Sequence, residues 1–152
     1  VALTASLLVL ASIAGLTGLG LSRAMPLVST ASADRQLLDL SIDCKALLAS
    51  APRNLADPAS PPGATKTIML SLPSGTNVTF GSSEAGGTIF YEVQGSRKAL
   101  VLDGVRFSEG VEKGGIMVPS GNYRSILGGG RYELTIEYEY DPSLYEKYLV
   151  IY

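Results

Sequence analysis

The chain has 152 residues, enough for one domain or for a small domain with an appendage. A net charge of -2 with no basic cluster leaves nothing to neutralise a run of phosphates, which excludes nucleic acid as a partner. With zero His and the single Cys44, intrachain disulfides are excluded, and the side chains most used for zinc sites and nucleophile–base pairs are missing.

The first segment, "VALTASLLVLASIAGLTGLGLS", is uncharged and mostly apolar over residues 1–22, and only Arg23 carries a charge before Asp34. As a secretory signal its apolar run is too long and lacks a basic start, although Ala31-Ser32-Ala33 has the small-x-small form of a cleavage site. As a helix it would reach about 33 Å, enough to span a bilayer core. A helix apolar all round must be buried in lipid or among other helices. Ala11, Ser12, Ala14, Gly15, Gly18 and Gly20 supply small side chains that let helices approach closely, so packing against other helices is the favoured reading. The apolar run begins at the first residue, which fits either a trimmed chain or a peptidase cut just before Val1.

Met25-Pro26-Leu27 predicts a kink, since Pro lacks a backbone donor and disfavours helix before it. Over 34–49 the helical period resumes with Leu37, Leu40, Cys44, Leu47 and Leu48 on one stripe, and Arg35, Asp39 and Asp43 on a face expected to be solvated. The thiol of Cys44 is expected to be buried and structural. Residues 1–49 together predict a helical rod of about 70–75 Å. Residues 50–64 hold Pro52, Pro58, Pro61 and Pro62, which predicts a stiff, extended linker.

From residue 65 the period becomes alternating and turn signals recur every eight to twelve residues or so, the pattern of a β-sandwich. Strands are predicted at 65–72, 76–80, 88–93, 99–102, 105–107, 116–118, 123–127, 131–140 and 144–152. Asp103-Gly104 predicts a type I′ hairpin. Asn77-Val78-Thr79 is an N-glycosylation acceptor pattern near a predicted turn. Gly128 to Gly130 read as a turn, because no helix follows to make a phosphate cradle. In "RYELTIEYEY" the alternation sends Tyr132, Leu134, Ile136, Tyr138 and Tyr140 to one face. Glu133, Thr135, Glu137 and Glu139 take the other, where the carboxylates read as a solvated row and not as a cation site. Six of the eight Tyr fall between 132 and 152, suited equally to a core and to a subunit interface.

The order of parts, an apolar N-terminal helix ahead of a Gly-rich β head, resembles the archaeal type IV pilin and archaellin-like superfamily. Ala5 stands where bacterial type IV pilins have an acidic residue, a departure that archaeal pilins often share. The resemblance implies an α+β chain: a long N-terminal hydrophobic α-helix (1–49), a Pro-rich linker (50–64) and a small antiparallel, immunoglobulin-like β-sandwich head (65–152). It implies a structural subunit of an extracellular, adhesive, type IV pilus-like filament. Such a homopolymer is membrane-inserted before assembly and meets surfaces or cells through its heads. Its implied polymerisation core is Leu3, Leu7, Leu8, Leu10, Ile13, Gly15, Leu16, Gly18, Leu19 and Leu21, and its implied glycan site is Asn77. No enzymatic activity, cofactor or metal travels with that resemblance. The alternatives are an archaellin of a swimming filament and a single-pass membrane protein carrying a β-sandwich that binds a partner.

Overall fold

The computed structural model describes residues 30–152. One helix, α1, covers 30–48. Ala33, Leu37, Leu40, Cys44 and Leu47 recur every three or four residues along it and are all buried. Ala33, from the small-x-small pattern, is therefore part of the core. The helix ends where its last turn tightens: the Ala49 N–H is shared between the carbonyls of Lys45 and Ala46, both at 3.2 Å, and the Ser50 N–H reaches the Leu47 carbonyl at 2.9 Å. Pro52 then keeps Ala51 out of the helical region.

The expected α+β class led by a long hydrophobic helix is corrected by these residues. Half of them are strand and 15% helix, and among them α1 is the one helix and a short one. The apolar segment 1–22 and the Pro26 kink lie outside the described residues. What α1 does is also not the work of a rod: its buried stripe is spent within its own chain, on the β head.

Ten strands follow: β1 (Arg53–Asn54), β2 (Thr65–Leu72), β3 (Thr76–Phe80), β4 (Thr88–Val93), β5 (Ser96–Val101), β6 (Arg106–Lys113), β7 (Ile116–Pro119), β8 (Arg124–Leu127), β9 (Gly130–Asp141) and β10 (Glu146–Ile151). The larger sheet runs β1-β9-β10-β6-β7, with β2 also on β9, and the smaller runs β5-β4-β3-β8. The sheets are not wholly antiparallel, since β10 pairs with β6, and β1 with β9, in parallel. One contiguous core joins the two sheets and α1. In it Phe80 of β3 meets Phe107 of β6 edge to face, ring centroids 5.6 Å apart.

The turns explain which neighbours pair. Gln94-Gly95 and Gly114-Gly115 take positive φ at both residues, the geometry that lets a strand fold straight back, and they close the β4–β5 and β6–β7 hairpins. Asp103-Gly104 does not make the expected hairpin. Only Gly104 has positive φ there, so the chain leaves β5 in one sheet and enters β6 in the other.

Polar contacts fix α1 to both sheets. The Gln36 side-chain amide donates to the Ser71 carbonyl and accepts the Ser71 N–H, both at 2.7 Å, extending the backbone pairing of β2 by one side chain. Lys66 on β2 pairs with Asp43 at 2.6 Å. On the other sheet Asp34 accepts the Tyr91 hydroxyl at 3.0 Å and pairs with Lys98. That Lys98 contact, ahead of the Tyr91 hydrogen bond, holds the Asp34 carboxyl below its ordinary range against a smaller effect of burial. Of the face expected to be solvated, Arg35 and Asp39 are exposed, while Asp43 makes one of the attachments to the head.

Candidate functional site

The ten residues of the expected polymerisation core, from Leu3 to Leu21, lie outside the described residues. What the structure describes is the element that leads away from them. The buried stripe of α1 leaves a second strip facing out, at i, i+4, i+7, i+11 spacing: Ala31, Leu38, Ile42 and Ala46, interrupted by Arg35. Leu38 is 51% exposed and Ile42 is 56% exposed. A helix already anchored through one apolar stripe does not need a second for its own fold, so this strip is the head's apolar surface nearest in sequence to the apolar segment. The periodicity 37, 40, 44, 47 drew attention to the inner stripe; Leu38 and Ile42 were visible as apolar residues off it.

Asn77 is the second residue of β3 and is exposed, on a strand and not in the turn before it. Its side-chain oxygen accepts the Gly128 N–H at 2.9 Å.

The carboxylates of β9 are the second finding. Glu133 is exposed, but Glu137 and Glu139 are buried, so the expected solvated row is corrected at two of its three positions. The cause is the Pro-rich segment. It is no extended linker: the Ala64 N–H bonds the Ala51 carbonyl at 3.0 Å and closes a loop that lies along β9. The Leu55 N–H reaches the Tyr140 carbonyl, and the Tyr138 N–H reaches the Ala64 carbonyl, both at 2.9 Å. Gly63 is required at the crossing, because a Cβ there would lie 1.9 Å from the Tyr138 carbonyl oxygen.

This strap sets Arg53 over the two carboxylates, 3.0 Å from Glu137 and 4.0 Å from Glu139. Glu137 also accepts the Gly63 N–H at 3.0 Å. Neither oxygen of Glu139 has a hydrogen-bond partner. Burial, reinforced by the charge of Glu137 and opposed by Arg53, pushes the Glu139 carboxyl up to about 8. Glu139 is completely enclosed, so the arrangement is a latch between strap and sheet, beyond reach of a substrate.

The tyrosines divide. Tyr138 is in the core, Tyr132, Tyr140 and Tyr148 are half-buried, and Tyr145 is 85% exposed. Among the described residues no three His, Cys, Asp or Glu side chains assemble as a metal set, and no helix is long and apolar enough to cross a membrane. Comparison with known proteins adds no relative: no family model matches the chain, and no curated protein or solved structure does.

Proposed function

We propose that this chain is the structural subunit of an extracellular, type IV pilus-like filament that serves in adhesion, held together by burying the apolar N-terminal segments of many copies against one another. The observation that carries the reading is the outer strip of α1. The 22 uncharged, mostly apolar residues of the N-terminal segment need cover, and the helix next along the chain offers Leu38 and Ile42 on a face its own head does not use. Each large apolar side chain left in water costs roughly 1.5–3 kcal/mol, so a free subunit aggregates, enters a membrane or polymerises. Copies related by one repeated, non-closing contact give a helical filament. The heads then form its outer surface, with Asn77 placed to carry a glycan.

Negative-stain electron microscopy of material sheared from the source cells, with mass spectrometry of its main component, tests this. Thin regular filaments built from this chain are the expected result. Recovery of the chain only as dispersed particles in the membrane fraction overturns it in favour of a lipid-anchored binding protein. Leu8→Asp and Leu16→Asp are each expected to abolish filaments, because an unpaired charge inside an apolar bundle is poorly tolerated.

A further inference from the structure

Away from α1 and the strap, two cavities share Arg106 and Glu146. The first, about 320 Å³, is lined on its far side by Ser83, Asn122, Tyr123 and Tyr148. The second, about 330 Å³, is bordered by Gly104, Tyr145 and Lys147. Each falls at the small end of the usual range for ligand sites, roughly 300–1,000 Å³.

The polar groups of the first cavity are available. The Asn122 side-chain amide, the Ser83 hydroxyl and the Tyr123 hydroxyl have no hydrogen-bond partner among the described residues, and Arg106 meets Glu146 only at 3.8 Å. The backbone that carries Asn122 and Tyr123 is also held in place. Ser108, buried in β6, accepts the Gly121 N–H at 3.1 Å and shares its proton between the carbonyls of Glu109 at 3.1 Å and Asn122 at 3.3 Å, while the Glu109 N–H bonds the Asn122 carbonyl at 2.7 Å. The loop bearing Asn122 and Tyr123 is thus pinned to the sheet. Tyr148 donates its hydroxyl to Glu146 and fixes that carboxylate from the other side. Preorganisation of this kind removes part of the ordering cost of binding.

The lining selects a chemistry. Arg106 and Glu146 cancel, so the first cavity carries no net charge and does not favour an anion, while the second adds Lys147, an ammonium that can donate to sugar hydroxyls. Hydroxyls, an amide, a guanidinium and a carboxylate outnumber apolar groups, which disfavours a hydrocarbon ligand. Tyr123, 55% exposed, offers an aromatic face beside them. A pyranose ring matches such a wall, having an apolar C–H face and a rim of hydroxyls that both donate and accept. In the second cavity Tyr145 shows another aromatic ring, 85% exposed and held at φ 55°, a backbone conformation uncommon outside glycine. We infer that the Arg106–Glu146 groove is a binding site for a neutral oligosaccharide of at least two sugar units, one seated by Tyr123 and Asn122 and the next by Tyr145. The site lies wholly within the head and does not depend on polymerisation.

The full chain, held in a detergent without a sugar headgroup, is to be immobilised and probed with an array of neutral and sialylated oligosaccharides. Retention of neutral glycans of two or more units is expected. The double substitution Asn122→Ala/Tyr123→Ala should reduce it at least tenfold with an unchanged melting temperature, since both side chains are exposed. No retained neutral glycan, retention confined to sialylated ones, or equal retention by the double variant overturns the site. Filaments that form without glycan binding sink this inference alone, and glycan binding without filaments sinks the assembly reading alone.

Discussion

Glu139 sets the pH response of the head. Its carboxyl titrates at about 8 against an ordinary 4.5, so over that interval the folded chain keeps a proton that the unfolded chain releases. The resulting stabilisation is whole below about pH 4.5 and is lost as pH rises through about 8. Urea unfolding is therefore expected to show a weaker head at pH 9 than at pH 5. Glu139→Gln, which keeps the shape of the protonated acid, should flatten that decline and gain on the order of 2–4 kcal/mol at pH 9. A variant that declines as steeply as the parent would remove Glu139 from the explanation. Asp34 works with the opposite sign. Its lowered carboxyl contributes stability above its ordinary range, lost as pH falls through the folded value, so the Lys98 clip on α1 weakens in acid while the latch weakens in alkali. Cys44 gives a separate test: burial, with Asp43 adding, pushes its thiol up to about 12. Iodoacetamide should label it only as fast as the head unfolds, and rapid labelling of folded protein would show that α1 detaches locally.

At the scale of elements, the strap shows how far a local reading of sequence reaches. Four prolines in fifteen residues predict an extended chain, and nothing local reveals that Asn54, Asp57 and Ser60 close the segment with their own hydrogen bonds. Nor does alternation in β9 reveal that Arg53, 84 residues earlier than Glu137, will cover its polar face. Period-2 patterning fixes which residues share a face, and long-range contact decides whether that face is wet. The same limit explains Asp103-Gly104, whose composition suits a hairpin while the burial of Leu102 and Val105 in a common core carries the chain across to the other sheet. Strands 76–80 and 88–93 were legible because short alternating runs sat between unmistakable Gly turns. The strap's dependence on one glycine yields a prediction. Gly63→Ala forces a carbon into the Tyr138 carbonyl and should cost about 3 kcal/mol or more, with the loss concentrated in hydrogen-exchange protection of the Tyr138 and Leu55 amides. Uniform loss across both sheets, or none, would mean the strap is not the seam.

For the whole molecule, on the proposed filament reading, the question is which surface joins one copy to the next. The groove at Arg106 and Glu146 was not foreseen, because its parts come from four separate stretches of chain that meet only once β6 and β10 pair in parallel. The α1 strip was half legible, its apolar residues plain but its exposure decided by how the inner stripe seats on two sheets. Leu38→Glu/Ile42→Glu separates folding from assembly more cleanly than any change within 1–22. Both side chains are more than half exposed in the described fold, so the head's unfolding free energy should move by no more than about 0.5 kcal/mol per site. In a filament the same two carboxylates would be buried against a neighbour without partners, and removing such charges from water costs several kcal/mol each. Electron microscopy should then find no filaments from a chain whose head melts normally. Normal filaments from the double variant would place the subunit contact on another face and leave the outer strip of α1 as exposed surface.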